Sequence, residues 1–355
     1  TGPQQHWHRA CLALLALHLG LSNTAWAAID IPPVPLQSGT VAPPNILFIL
    51  DDSTSMADDY MPDKLSNVEY LRKNHTTNTI YYNPRITYKP WTKADGTPMT
   101  GGTSYYAAYT SSQLASGSTT DLSKSDQVYY APKTKSAQPV SSGNYSDYYR
   151  FRIYKNKSDM LIERCEYNKV TSGTPKWDKN CGNESSVSFD NGEITRTVDE
   201  ELTNFATWYS YHRTRMKVAK AAAGNAFFSL GENYRVGYTT IGHTYKTAGK
   251  TPIKYRIPVQ NATENDQDQD LFRGSNKEAW FNYIYEEDAS GYTRYTPLRA
   301  ALQGAGEYFK ETGADGPWGP ETGNNQVACR QNFAILTTDG YWNDDQYWTS
   351  RFTSG

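Results

Sequence analysis

The feature that most constrains this chain is a continuous apolar run, Asn45-Ile46-Leu47-Phe48-Ile49-Leu50, which stops abruptly at Asp51-Asp52-Ser53-Thr54-Ser55. A half-buried strand alternates apolar and polar residues. A run without alternation therefore predicts a strand buried on both faces of a parallel sheet. A second such run, Asn332-Phe333-Ala334-Ile335-Leu336-Thr337-Thr338, also ends in an acid, Asp339. In open α/β sheets ligands bind outside the carboxyl ends of the strands, which is where both aspartates would stand.

Helical periodicity lies between these runs. Thr197 and Glu200 have capping-box spacing. From there Phe205, Trp208, His212, Met216, Ala219, Ala223, Phe227 and Leu230 recur every three or four residues, predicting one long amphipathic helix that Gly231 stops. Residues 234–241 and 254–259 read as strands, the second at an edge because Pro258 has no N–H. Helices are expected over 277–287 and from Pro297, the latter with Leu298, Ala301, Leu302, Ala305 and Phe309 on one face. Strands alternating with helices predict an α/β fold with a doubly wound, mostly parallel sheet and helices on both faces. Only 16 residues follow Asp339, so the last elements of such a sheet are expected to be missing.

From about 57 to 198 the periodicity gives way to Tyr, Ser, Thr, Asn, Gly and Pro. A structureless loop of that length is improbable in a compact domain, so this stretch is expected to be an inserted subdomain of short strands and turns, with a flexible tip around 114–120. Cys165 and Cys181 can close a short ring within it and are the expected disulfide. Cys329 is left over. The sequence does not choose between a buried inert thiol, a partner beyond Gly355 and a reactive thiol.

Residues 1–27 read as a signal peptide. His6, His8 and Arg9 precede an apolar run from Ala10 to Leu21, and Ala25-Trp26-Ala27 supplies the small-x-small cleavage pattern. The run is shorter than the ~20 residues a membrane-spanning helix needs, and no later stretch is long and apolar enough. Prolines mark 28–43 as an extended linker, leaving 44–355 as the folded domain. The chain begins with Thr1 rather than Met, as expected of a piece of a longer reading frame. A net charge of -2 from 35 basic and 37 acidic residues argues against nucleic acid as a partner. The 28 Tyr and 9 Trp among many small polar residues suit either a glycan- or protein-binding surface or a strand-rich cover for the sheet.

Asp51, Ser53 and Ser55 stand at i, i+2 and i+4 in the turn leaving the first strand, Thr296 just before a helix, and Asp339 just after the second apolar strand. Two carboxylates and three hydroxyls make an all-oxygen donor set suited to Mg²⁺, Mn²⁺ or Ca²⁺ and unsuited to zinc. Two carboxylates only balance a divalent cation, so it stays electrophilic enough to accept a carboxylate from a partner. Each hydroxyl alone is also the ordinary cap of a turn or helix. Asp266-x-Asp268-x-Asp270 opens like a calcium loop, but Leu271 and Lys277 stand where Gly and Glu are needed, so it reads as a solvated acidic loop. His75, His212 and His243 have no metal-site spacing, and His212 reads as a packed core residue.

Asp51-x-Ser53-x-Ser55 with Thr296 in Thr-Pro-Leu and Asp339 in Thr-Asp-Gly resembles the metal-ion-dependent adhesion site of von Willebrand factor A domains. Three further blocks are similar to the N-terminal half of type IV pilus tip adhesins of the PilC/PilY kind: Tyr82-Asn83-Pro84 with Tyr88-Lys89-Pro90-Trp91, the stretch from Asn204 to Tyr211, and Cys329-Arg330-Gln331-Asn332 running on to Asp339-Gly340-Tyr341-Trp342-Asn343. The resemblance implies an exported protein at the cell surface, outer membrane or pilus tip of a Gram-negative bacterium. Its implied partners are type IV pilus components such as minor pilins, together with host or surface ligands. The family's C-terminal β-propeller has no counterpart in these residues, and Thr54 stands where many relatives have glycine. A secreted A-domain unrelated to pili is the alternative. A haloacid dehalogenase-type phosphotransferase is disfavoured because Ser53 occupies the place of its second acid, and a binding protein rather than an enzyme is expected.

Overall fold

A computed structural model describes residues 42–113, 117–246, 253–259, 270–289, 296–323, 326–327, 330–340 and 342. The expected signal peptide, nearly all of the linker, Asp266, Asp268 and Cys329 lie outside them.

The run at 45–50 forms strand β1 (Asn45–Leu50), buried at every position. The following segment contributes a short helix α1 (Glu69–Arg72) and strands β2 (Ala108–Tyr109), β3 (Thr119–Thr120), β4 (Gln127–Pro132), β5 (Tyr148–Asn156), β6 (Asp159–Asn168), β7 (Lys176–Glu184), β8 (Ser186–Phe189) and β9 (Ile194–Thr197). Then come α2 (Val198–Tyr211), α3 (Arg215–Phe228), β10 (Arg235–Thr240), α4 (Ile241–Lys246), α5 (Gly274–Tyr285), α6 (Leu298–Phe309) and β11 (Asn332–Thr337).

β1 is the centre of a parallel sheet ordered β10-β1-β11, its register ending with Leu50 opposite both Thr240 and Thr337. Ile46, Phe48 and Leu50 pack with Met216 and Phe227 of α3 and Trp280 and Ile284 of α5. Leu47 and Ile49 turn the other way, onto Ala301, Ala305 and Tyr308 of α6. Helices on both sides explain why the run never alternates. The fold is mixed α/β. Of the wider doubly wound sheet expected from the sequence, the described residues contain these three strands.

Three expectations need correction. β11 is not buried on both faces. It pairs with β1 along one side only, and Phe333 and Ile335 are 48% and 41% exposed. Residues 254–259 form no strand. Tyr255 makes one antiparallel bridge to Tyr238, and Pro258 cannot extend the pairing. The long helix after Thr197 is two helices. The capping box opens α2 as expected, but α2 ends at His212, and Thr214 caps α3 by accepting from Lys217 N. The break lets each helix serve a different core. Leu202, Phe205 and Trp208 enter one with Tyr82, Tyr129 and Phe151, while Met216, Ala223 and Phe227 pack on the parallel sheet.

The tyrosine-rich segment is built around an antiparallel sheet ordered β4-β5-β6-β7, with Cys165 and Cys181 disulfide-bonded between β6 and β7. Many of its tyrosines are interior, and the hydroxyls of Tyr82 and Tyr129 are satisfied there by a carboxylate. Buried Glu201 accepts from Tyr82 and Tyr129 at 2.8 Å each and from Arg196 Nε at 2.7 Å. These tyrosines line a core of their own, separate from the one that packs on the parallel sheet.

Candidate functional site

The site is assembled where β1 and β11 end together. Asp51 N donates to Thr337 O at 3.1 Å, so each strand hands its chain to a loop at one place. The turn after β1 then closes on itself. Ser53 N donates to Asp51 Oδ1 at 2.8 Å, and a 3-10 turn over Thr54–Ala57 brings Ser55 Oγ to 3.0 Å from Ser53 Oγ. From the other strand, Thr338 Oγ1 donates to Asp51 Oδ2 at 2.8 Å, and Asp339 Oδ1 accepts from Ser55 Oγ at 3.2 Å. Asp51, Ser53, Ser55 and Asp339 are thus one chain of bonds.

Asp51 is fully buried. Burial pushes its carboxyl above the usual range, and the nearby Asp339 charge adds to this, while the Ser53 and Thr338 donors oppose it. Among the described residues no Lys, Arg or His forms an ion pair with it. A buried carboxylate facing hydroxyls and a second carboxylate, without a cationic partner, is a donor set that fits a hard divalent cation.

Asp339 does have one. Its Oδ2 accepts from Arg215 Nη1 at 2.7 Å, and the same nitrogen lies 2.6 Å from Asp63 Oδ1. Sequence reasoning missed Arg215, which sat inside an apparently uninterrupted helical repeat, and Asp63. The one signal was the acid-rich stretch Asp58-Asp59-Tyr60-Met61-Pro62-Asp63 just after the motif.

Thr296 is buried just ahead of α6. The far end of α6 lies by the strand beginnings, since Trp318 Nε1 donates to Phe309 O while both Asn45 and Arg235 donate to Pro317 O. The helix therefore runs against the strands, with Thr296 at their carboxyl ends. Arg299, in its first turn, stacks 4.5 Å over Trp342, three residues past Asp339. The bonded chain above runs through the other four residues; Thr296 shares their end of the sheet.

A second buried acid adjoins the site. Asp52 Oδ1 accepts from Gly242 N at 2.7 Å, and burial pushes its carboxyl up to about 6. Asp270, the described part of the expected acidic loop, pairs with fully buried Arg235 at 3.1 Å instead of being solvated. His212, expected as a packed core residue, is half-buried at the end of α2, beside Tyr88 and bonded to Lys89 O at 2.8 Å.

Along 93% of its length the chain is similar to proteins named type IV pilus biogenesis factor PilY1 from Pseudomonas aeruginosa. It is 27% identical over 336 residues to that of strain PAO1 and 28% identical over 336 residues to that of strain PAK. For strain UCBPP-PA14 the identity is 29% over 350 residues, 94% of the chain. The chain spans about a quarter of the length of these curated relatives, 26% to 27%. These homologues support a PilY1/PilC-type family. No family model and no solved structure matches the chain. Among the described residues no helix is long and apolar enough to cross a membrane.

Proposed function

We propose that this chain is the cation-holding module of a PilY1/PilC-type pilus protein. In this reading it is an exported, von Willebrand factor A-like domain that binds Mg²⁺, Mn²⁺ or Ca²⁺ through Asp51, Ser53, Ser55, Thr296 and Asp339 and presents it to a partner carboxylate. The observation that carries the reading is the bonded chain from Asp51 through both serines to Asp339 at adjacent strand ends, with Asp51 buried and unpaired by any cation among the described residues. A divalent cation held there would supply an electrophilic centre for one more anionic oxygen. The chain's own part is positional: Ser53 N and Thr338 Oγ1 fix the two oxygens of Asp51, and Ser55 fixes Asp339.

A pilus-related role is supported by the relatives, whose printed name assigns them to type IV pilus biogenesis. We take the partners to be pilus components such as minor pilins and host or surface ligands, and the place to be the cell surface or pilus tip. The proposed role is binding, not catalysis.

The test is a calorimetric titration of the chelator-stripped chain with Mn²⁺. The wild type is expected to bind one ion, and Asp51→Ala and Asp339→Ala to abolish binding while remaining folded. Unchanged binding in both folded variants would overturn the reading. The same variants in the full-length protein, compared for adhesion and piliation with and without chelator, separate ligand capture from a role in pilus assembly.

A further inference from the structure

We propose that Arg215 is a positioning residue of the cation site, setting its affinity through Asp339 against a counter-charge from Asp63. The assignment rests on the cation-site reading above.

Arg215 opens α3 directly after its Thr214 cap. It is held at its backbone, at Nε and at Nη1. Its backbone N donates to Asp58 O at 3.1 Å and its Nε to Tyr60 O at 2.9 Å. The side chain is 2% exposed, so its charge is little screened by solvent. Nη1 meets Asp339 Oδ2 and Asp63 Oδ1, and Nη2 lies 3.7 Å from Asp58 Oδ2. A guanidinium is planar and permanently charged, so it fixes the plane of the carboxylate it binds. With Oδ2 taken, Oδ1 is the Asp339 oxygen left facing the serine pair.

Asp51 and Asp339 alone would neutralise a divalent cation. Arg215 cancels part of the Asp339 charge and so weakens the hold on a cation while leaving the loaded site more attractive to an anionic ligand. Asp63 draws on the same nitrogen and offsets this. Removing the guanidinium should therefore tighten cation binding, and removing the Asp63 charge should loosen it. Loss of a merely structural anchor between α3 and the 58–63 loop cannot produce opposite shifts.

The experiment titrates Mn²⁺ into the chelator-stripped full chain at fixed ionic strength, with metal-free melting measured alongside. Arg215→Gln is expected to bind about tenfold tighter, Arg215→Lys to stay within about threefold of wild type, and Asp63→Asn to bind about three- to tenfold weaker. Shifts of the same sign in Arg215→Gln and Asp63→Asn, or unchanged affinity in both folded variants, overturn the assignment. If Arg215→Gln does not fold, Asp63→Asn decides alone, because its side chain is half exposed; unchanged or tighter binding then overturns it. A wild type that binds no Mn²⁺ overturns the cation site and this role with it. A wild type that binds beside unmoved variants overturns the role of Arg215 alone.

Discussion

Ser55 Oγ donates to Asp339 Oδ1 at 3.2 Å, although 284 positions separate the two residues in the chain. The contact exists because Ser55 rides the turn leaving β1 while Asp339 leaves β11, and the two strands are in parallel register. A bond of this kind contributes a net ~0.5–1.5 kcal/mol. Ser55→Ala is accordingly expected to cost about 1 kcal/mol of metal-free stability. It should also weaken Mn²⁺ binding by about tenfold or more, since it removes a donor oxygen. Urea unfolding paired with a Mn²⁺ titration checks both. Lost stability with unmoved Mn²⁺ affinity would reduce Ser55 to a turn residue.

Gly242 is required by what faces it. A Cβ built there would lie 2.8 Å from both carboxylate oxygens of Asp52. The strand-end acid and the start of α4 are thus packed backbone to carboxylate, with Gly242 N donating across the gap. Gly242→Ala must displace Asp52 and is expected to cost about 1–3 kcal/mol. In an Asp52→Ala background the same change should cost little. A double-mutant cycle by urea unfolding reads the coupling, and additive costs would show that the strain lies elsewhere.

The parts of the site that were legible in the sequence are those fixed locally. Asp51, Ser53 and Ser55 share one turn, and the apolar run of β11 ends directly before Thr338 and Asp339, in parallel register with β1. Arg215 and Asp63 were not legible, because their meeting with Asp339 depends on how the 58–63 loop folds back over α3. The same limit explains β11. Its composition matches that of β1, but composition does not reveal whether a neighbour covers Phe333 and Ile335. The apolar repeat ran unbroken through 212–214 because two helices serving different cores happen to stay in phase. Tyrosine content was ambiguous because a tyrosine reads alike whether its hydroxyl meets water or, as with Tyr82 and Tyr129, a buried carboxylate.

His75 predicts a response to acid. Burial, reinforced by the Arg85 charge, lowers its pKa from 6.5 to about 4. The folded state therefore keeps the ring neutral where the unfolded chain has already taken up a proton. The resulting contribution is fully present above pH ~6.5 and is lost as pH falls toward ~4, amounting to on the order of 3 kcal/mol. His75→Gln should flatten the stability profile between those limits. Unfolding midpoints measured across the window test this, and a variant with the wild-type slope would assign the acid sensitivity to other groups.

Glu201 ties the tyrosine-rich segment to α2. It is fully buried, accepts from Tyr82, Tyr129 and Arg196, and sits on the helix that carries Phe205 and Trp208 into the same core. Its removal strands two buried phenols and leaves Arg196, 8% exposed, without its carboxylate. Breaking one side of a buried charge pair costs about 3–5 kcal/mol, whereas replacing both sides with apolar groups is far milder. Glu201→Ala should fall in that range, and Glu201→Leu with Arg196→Met should recover much of the loss. The strain is confined to the core around Trp208, which packs away from the parallel sheet, so Mn²⁺ affinity in the folded variant is expected to match wild type. Urea unfolding followed by tryptophan fluorescence, with a Mn²⁺ titration under native conditions, measures the two together. A cost below about 1 kcal/mol would mean that solvent reaches Arg196 once the acid is gone. A fall in Mn²⁺ affinity would mean that the packing of this segment is transmitted through α2 and α3 to Arg215 and the site.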